Sequence, residues 1–432
     1  MMKNLFWAGS LLALSFPVMA EMNVKSFDEI WGQLHKNSLS HQSLEQEKIA
    51  QDEAKSRAQR HWWPKAYVAG QWFSTNDPAQ VFFNQLGQRS VGSADFNPSQ
   101  LNQPGRKTFQ AATLGLDLPL YEGGFKAQQV TMYEKLVRAA ELDLKAKKTE
   151  EYSELGRHYG QLIVYHQQSS KLNNLKEELI KILKSYQVGS QSNPVGYSGV
   201  LGLKAVQNRM TGMLDEFQLK QIQSQKWIQG KINDESTWKV DHDQDLKKYL
   251  EKNLAPQTSQ SYSTMLLSQE LKASTMNEAK NMEKARFLPK VGVFAQSNLY
   301  QGQRDSSTSQ VYGLYLMWEL FNNDSYGRLG EASAKARAAE AKVAAYKQEE
   351  KIAMEQLDEA KKTLDRNLDL LNETDALMLE QTQNAMKLFR SGLLSALQLA
   401  EVLNRRVDLI QQKNQAQIQS LEVHSKIYQL MN

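Results

Sequence analysis

Cysteine is absent from the 432-residue sequence. This absence excludes disulfides, thiolate metal sites, a cysteine nucleophile and a lipid-modified N-terminal cysteine. The formal net charge is only +4, from 52 Lys and Arg against 48 Asp and Glu, and no dense basic stripe of the kind that nucleic acid requires is present. Beyond the N-terminus, no run of about 18 apolar residues occurs either. We therefore expect no nucleic-acid partner and no transmembrane helix.

The N-terminus carries the pattern of a secretory signal. Lys3 precedes an apolar run over residues 5–19, and Val18-Met19-Ala20 offers the small residues that a signal peptidase recognises. The alternative is an N-terminal membrane anchor, but the run is short and is interrupted by glycine, serine and proline. We predict that residues 1–20 are a removed signal peptide, so that the mature chain works outside the cytoplasm.

The rest of the sequence contains one pattern twice. Ala54-Lys55 is followed by Trp62-Trp63-Pro64-Lys65, and at an offset of 225 residues Ala279-Lys280 is followed by Phe287-Leu288-Pro289-Lys290. Later landmarks keep an offset of about 200, so the first copy has the longer loop. This spacing predicts a first repeat over 21–230, a polar connector over 231–258 and a second repeat over 259–432.

Each repeat contains two segments that alternate between apolar and polar residues. The period of two predicts strands at about 64–73, 109–121, 289–300 and 310–321. Segments of 10 to 12 residues are long enough to cross a bilayer as tilted strands. After each strand pair comes a helical pattern of exceptional length, over about 125–188 and 325–390, and then a break and a shorter helix. A helix of roughly 65 residues spans about 95 Å, far more than a globular helix.

Four strands of bilayer length constrain the assembly. In lipid every backbone polar group must be paired, so strands survive only in a closed barrel, and the smallest such barrels have about eight strands. Two chains would supply eight strands, and three would supply twelve, which leave room for a lumen. We therefore expect a trimer if the function is passage.

Taken in order, these features resemble the TolC-like outer-membrane factors. The resemblance rests on the duplicated helix-strand-strand-helix order, on the strand-to-helix turns at 119–124 and 319–324, and on two glycine breaks between helices. It implies a fold that is mainly α with membrane β: a trimer forming a 12-stranded outer-membrane β-barrel continued by a 12-helix periplasmic α-barrel. It further implies an outer-membrane location extending into the periplasm of a Gram-negative cell, no cofactor, a periplasmic membrane-fusion (adaptor) protein as partner, and an inner-membrane transporter of the RND or ABC type.

The same resemblance assigns roles to two sets of residues. Those at the glycine breaks match the tips on which the adaptor docks: Val188, Gly189, Ser190, Ser391, Gly392 and Leu393. In the segment that narrows the pore, family members often carry two acids one helical turn apart, and here Gln398 and Glu401 take these places. Three copies of Glu401 would bind cations and filter charge. The alternatives are plain helix-helix turns and a solvated helix residue.

Aromatic residues flank the predicted strands. We expect them to form interfacial girdles in contact with outer-membrane lipid, whereas in a soluble protein they would be core. They are Trp62, Trp63, Tyr121, Phe125, Phe287, Trp318 and Phe321.

No catalytic constellation is recognisable. The seven histidines lack metal-binding spacing, and the tight cluster Asp241-His242-Asp243 lies in the polar connector. The favoured function is the passive outer-membrane duct of a tripartite export system for small molecules. A duct for type I protein secretion and a structural periplasmic coiled coil are the alternatives.

Overall fold

The computed structural model describes residues 24–185, 194–236, 238–256, 262–323 and 327–432. The predicted signal peptide and the first glycine break, with Val188, Gly189 and Ser190, lie outside the described residues. The described elements, in chain order, are α1 (Phe27–Asn37), α2 (Leu39–Gln59), β1 (Lys65–Thr75), α3 (Pro78–Gly87), α4 (Pro98–Asn102), β2 (Lys107–Glu122), α5 (Phe125–Ser185), α6 (Pro194–Ile232), α7 (Leu246–Asn253), α8 (Thr264–Ala285), β3 (Lys290–Gly302), β4 (Ser306–Met317), α9 (Arg328–Arg390) and α10 (Ala396–Met431).

The two copies run in the same order, with helices leading to two strands, a very long helix and a shorter one. The fourth strand begins four residues before its predicted start at 310 and ends before Trp318. The reason is the tight turn that precedes it, which is closed by a hydrogen bond of 3.2 Å from Gly302 N–H to the Asp305 carbonyl. Helix α9 is described from Arg328 onward. None of the described helices combines the length and the apolar character of a membrane span.

The chain divides into two units. The helical unit comprises residues 24–38, 151–255 and 359–426, and the sheet unit comprises 39–150, 256–358 and 427–432. Helices α5 and α9 each contribute to both.

The core of the helical unit is built from one apolar stripe on each of α5, α6, α9 and α10. On α5 the stripe steps by three and four residues, which places its members on one face of a helix. The predicted stripe Leu172, Leu175, Leu179 and Ile182 is buried there. It packs with the residues Leu203, Met210 and Phe217 of α6, Met386 and Phe389 of α9, and Leu399, Leu403 and Val407 of α10.

The predicted polar connector is more buried than its composition indicates. Trp238 and Tyr249 retain only 3% and 2% of their exposure. The Tyr249 hydroxyl donates to the Gly156 carbonyl of α5 at 2.7 Å. A side chain at Gly156 would meet Leu254, since its Cβ would lie 2.7 Å from a Leu254 methyl group. The connector therefore contributes core residues that sit between charged ones in the sequence.

One largely buried carboxylate links three helices of the helical unit. Asp375 of α9 accepts from Lys171 of α5 at 2.9 Å and from Lys413 of α10 at 2.9 Å, and it pairs with Arg406 at 2.5 Å. The side chains of Asp375, Lys413 and Arg406 are 13%, 10% and 6% exposed. Burial alone would raise the pKa of Asp375, but the hydrogen bonds and charges of Lys171 and Lys413 outweigh it and hold the pKa far below its usual range.

Asp375→Ala should destabilise the protein strongly, because it leaves Lys413 and Arg406 buried without a counter-charge. Removal of one partner from a buried ion pair costs about 3–5 kcal/mol. Chemical unfolding followed by circular dichroism in detergent measures this cost. Glu373→Ala, an exposed carboxylate two residues away on the same helix, is the matched control and should change the unfolding midpoint little. Equal midpoints for the two variants would contradict the role given to Asp375.

Candidate functional site

The four strands form one antiparallel sheet in the order β1-β2-β3-β4. The register pairs Val68 with Leu114, Leu114 with Ser297, and Ser297 with Gln310. Because directly paired residues lie on the same face of a sheet, this register sorts every side chain onto one of two faces.

One face is apolar and exposed. Several of its side chains keep more than half of their surface open, with Val68 at 76%, Leu114 at 56% and Leu314 at 77%. The apolar residues of this face, called here the apolar face, are Ala66, Val68, Trp72, Ala112, Leu114, Leu116, Leu118, Tyr121, Val291, Val293, Ala295, Leu299, Tyr312, Leu314 and Leu316. Toward the β3–β4 turn the same face also carries the polar residues Gln110, Ser297, Gln301, Thr308 and Gln310. Along β2 it runs from Ala112 to Tyr121, which pairs with Val291 beyond a bulge. This is about 27 Å of strand, which is close to the apolar band of a membrane barrel.

The opposite face is polar and rich in glycine, and is called here the polar face. Thr113 donates to the Asn298 amide oxygen at 2.7 Å, and the Gln296 amide donates to the Tyr67 hydroxyl at 2.8 Å. The Tyr67 ring lies over Gly115. The same arrangement recurs in the second copy, where the Tyr315 ring lies over Gly292. A tyrosine covering a cross-strand glycine fixes the register by shape, and such close approach requires a residue without Cβ.

The sheet has two open edges. In the part of the chain that the structure describes, β1 pairs only with β2, and β4 pairs only with β3. Each outer edge therefore presents unpaired backbone N–H and C=O groups beside an exposed apolar face.

All seven predicted girdle aromatics lie at one end of the sheet, six of them beside the strands. Trp62 and Trp63 precede β1, Tyr121 ends β2, Phe287 precedes β3, and Trp318 and Phe321 follow β4. All six are exposed, and the Trp318 indole N–H donates to the Phe287 carbonyl at 3.1 Å. Phe125 opens α5 at the same end and stacks with Arg286 at 5.5 Å. The opposite end has Trp72 on the apolar face, a position that the sequence analysis did not single out.

The long loop between β1 and β2 folds onto the polar face. Gly87, at the end of α3, faces the Tyr300 ring, and Gln88 lies against Gly302. Both Tyr300 and Gly302 belong to the polar face by register, as does the buried Phe109. The loop therefore covers that end of the polar face and leaves the apolar face open.

A charged cluster fastens the loop to the β3–β4 turn. Arg304 donates two hydrogen bonds of 2.7 Å to the Asp95 carboxylate, and Gly92 N–H donates a third at 2.9 Å. Arg304, followed by Gly92, lowers the pKa of Asp95 to about 2 from the ordinary 3.8. With its amide oxygen turned toward them, Gln85 accepts from Arg304 at 3.2 Å and from Lys107 at 2.6 Å.

The second predicted tip is a turn at the end of α9. Gly392 adopts a positive φ of 76°, and the N–H of Leu393 bonds to the Leu388 carbonyl at 2.9 Å. This hydrogen bond pairs a carbonyl that would otherwise have no backbone partner at the end of the helix. Ser391, Gly392 and Leu393 are all exposed.

The predicted pore residues occupy the first turns of α10 in two different ways. Gln398 forms a capping box with Ser395, since Ser395 N–H donates to the Gln398 amide oxygen at 3.0 Å and Gln398 N–H donates to the Ser395 hydroxyl at 3.3 Å. Glu401 accepts from Arg405 at 2.5 Å, one turn further along. Sequence reasoning missed both partners, although the Ser-x-x-Gln spacing is a recognisable capping signal.

A further link joins α6 and α10 near this point. Arg209 of α6 donates to the Asp408 carboxylate and, at 3.4 Å, to the Asn404 amide oxygen. Among the described residues, no cluster of His, Asp and Glu side chains able to hold a metal ion is found.

Gly115→Ala should disturb the sheet, because the added Cβ would lie 2.3 Å from the Tyr67 ring. Overpacking of this kind typically costs about 1–3 kcal/mol. Gly70→Ala is the matched control, since nothing lies within 4 Å of its Cβ position. We expect a lower thermal midpoint for the Gly115 variant alone. Indistinguishable midpoints would show that the Tyr67–Gly115 contact does not constrain the sheet.

The loop cluster should survive mild acid. A folded pKa of about 2 against an ordinary 3.8 means that Asp95 stabilises the loop fully above about pH 4 and loses this contribution as the pH falls toward 2. At pH 3, pepsin should therefore cleave residues 78–102 of Asp95→Asn faster than those of the unmodified protein. Asp305→Asn, which alters a turn carboxylate outside the Asp95–Arg304 pair, should behave like the unmodified protein. Equal cleavage of the Asp95 variant and the unmodified protein would contradict the assignment.

Comparison with known proteins identifies the fold. No family profile and no curated protein sequence matches the chain. Solved structures do match: CusC, described in terms of folding and transmembrane channel formation, has a TM-score of 0.77 at 9% identity, over 94% of this chain and 92% of CusC. The outer-membrane channel OprN matches with a TM-score of 0.72 at 16% identity, over 93% of this chain and 89% of OprN. The open MtrE outer membrane channel of Neisseria gonorrhoeae matches with a TM-score of 0.75 at 10% sequence identity, over 93% of this chain and 88% of MtrE. The predicted fold class is confirmed, and this chain has the fold of these outer-membrane channels.

Proposed function

We propose that the protein is the outer-membrane channel of an export system, with its sheet in the membrane and its helices in the periplasm. The observation that carries the proposal is the two-sided sheet. One face exposes most of the apolar side chains of the sheet, and the other presents tyrosine, glutamine, threonine and asparagine side chains. This is the division between lipid-facing and lumen-facing residues in a membrane barrel. The channel names of the structural relatives support it.

The open edges favour a trimer. Lipid offers no hydrogen bonds to unpaired strand edges, so β4 of one chain must pair with β1 of the next until the sheet closes. Three chains give twelve strands, enough for a barrel with a lumen. The exposed leucines on α9, such as Leu370 and Leu377, then become contacts with neighbouring chains.

The proposed partners are a periplasmic adaptor and an inner-membrane transporter, which supplies the energy for export. The proposed docking surface is the exposed turn Ser391-Gly392-Leu393. The positive φ of Gly392 lets the backbone turn there, and its lack of a side chain leaves room for a partner helix. The segment from Gln398 to Glu401 is the proposed constriction, and its charge is balanced locally by Arg405. The proposed cargo is small molecules.

Channel formation is tested in planar lipid bilayers with the purified protein. Discrete conductance steps are the expected result. Protein that binds the bilayer without conducting would contradict the duct.

A pair of charge substitutions in β4 tests which face meets lipid. Leu314→Arg places a charge on the apolar face, which costs up to about 2–4 kcal/mol within a bilayer. Val311→Arg, on the polar face of the same strand and also exposed, is the matched control. We expect the Leu314 variant to reduce the amount of protein recovered in the outer-membrane fraction, and the Val311 variant to leave it nearly unchanged.

In a water-exposed sheet, both substitutions would be tolerated alike, because both side chains are exposed in the single chain. Equal recovery of the two variants would therefore contradict the membrane assignment.

A further inference from the structure

Three phenylalanines and a leucine form an apolar patch on the loop between β1 and β2. The Phe82 ring centre lies 5.8 Å from that of Phe83 and 5.8 Å from that of Phe96. Phe83, Phe96 and Leu86 keep 65%, 61% and 50% of their surface open. Single exposed apolar residues are common on proteins, but a group of neighbouring aromatic rings indicates a surface that another surface covers. We call these four residues the phenylalanine patch.

The patch includes the side of α3 that points away from the sheet. Gln85 and Gln88 are buried on one side of this helix, and Gln88 lies against Gly302 of the polar face. Because an α-helix turns by about 100° per residue, Phe83 and Leu86 lie on roughly the opposite side. Both side chains therefore project away from the polar face on which α3 lies.

Hydrogen bonds fix the loop in this position. Arg304, in the β3–β4 turn, is bonded to Asp95 at 2.7 Å and donates to the Ser90 carbonyl at 3.2 Å. Arg89, just after α3, donates to the Thr308 carbonyl of β4 at 3.4 Å. The phenylalanine patch thus belongs to a loop that is attached to the wall of the sheet.

We infer that the phenylalanine patches of three chains meet inside the outer mouth of the channel and form an apolar constriction there. This inference rests on the proposed function, in which the polar face lines the lumen. The loop lies at the end of the sheet opposite to the starts of α5 and α9, so the constriction is at the outer end. The surface that covers each patch is the same patch on the neighbouring chains.

The width of a twelve-stranded barrel supports this contact. Twelve strands about 4.8 Å apart and tilted by about 40° form a ring about 24 Å across. Three helices, each about 10 Å wide with side chains, fill a circle about 22 Å across. With one α3 on the wall of each chain, little open lumen remains, and side chains that point away from the wall contact their counterparts.

An apolar constriction acts on water and ions. Water leaves a narrow apolar passage readily, and hydrated ions then cross it poorly until it widens. The phenylalanine patch therefore lowers the conductance of the channel at its outer end, separately from the proposed constriction between Gln398 and Glu401.

The absence of cysteine from the chain permits a direct test of contact between patches. Phe83→Cys introduces one thiol per chain, and a short bismaleimide is added to isolated outer membranes. We expect a two-chain band on a denaturing gel, because the three thiols lie close together in the lumen.

The matched control for cross-linking is Leu314→Cys. This side chain is also exposed in the single chain, but it lies on the apolar face, where the barrel wall separates the copies. It should give no two-chain band. Absence of the band from the Phe83 variant, or bands of equal strength from both variants, would overturn the inference.

Single-channel conductance in planar lipid bilayers tests the constriction itself. Phe83→Ser combined with Leu86→Ser makes the narrow part wider and polar, and we expect the conductance to rise by about twofold. Phe83→Met combined with Leu86→Met keeps large apolar side chains and is the matched control, which should conduct like the unmodified protein. Equal conductance of the serine variant and the unmodified protein would contradict the constriction.

The outcomes separate the two proposals. Channels that form but show neither the cross-link nor the rise in conductance contradict the outer constriction and leave the channel proposal standing. A purified protein that forms no channels contradicts the proposed function, and the inference falls with it.

Discussion

Unpaired backbone at the edges of an apolar sheet is the constraint on which the account of this protein depends. The four strands pair with one another in the order β1 to β4, yet within the described residues nothing pairs with the two outer edges, which lie beside exposed leucine and valine side chains. Water can hydrogen-bond to the backbone groups at the edges but is unfavourable for the apolar surface. Lipid suits the apolar surface but offers no hydrogen bonds to the edges. Closure with further copies in a membrane satisfies both. The polar face, on which tyrosine rings cover glycines, then lines the lumen of the closed barrel.

The long helices are stabilised in a different way from the sheet. Helices of 61 and 63 residues are stabilised in water by burying a stripe against neighbours, and four helices supply the stripes of one shared core. Asp375 adds geometric specificity, since one carboxylate serves three cations from two other helices.

Periodicity made much of this predictable. The alternation of Leu114, Leu116 and Leu118 gave a strand and its apolar face, and the steps from Leu172 to Ile182 gave a helix and its buried stripe. The duplication gave the order of elements. These signals are local, because strand and helix repeats are properties of consecutive residues.

Features that depend on distant partners were not predictable in the same way. Tyr249 is buried in a polar stretch of sequence because α5 supplies its partners Gly156 and Tyr159. The loop over the polar face depends on Arg304 meeting Asp95 across more than 200 residues. Gln398 and Glu401 were identified by their place in a pattern, but Gln398 is hydrogen-bonded to Ser395 and the charge of Glu401 is balanced by Arg405. The spacing of Ser395 and Gln398 is enough to predict the capping box from the sequence. The Glu401–Arg405 ion pair could be identified only from the positions of the side chains.

The most direct test of the central claim is the native mass of the protein extracted in detergent from outer membranes. The account predicts a complex of three chains that requires detergent to stay in solution, because only closure with other copies pairs β1 and β4 in lipid. A monomer that stays in solution without detergent would contradict it, since the exposed apolar face and open edges would then exist in water.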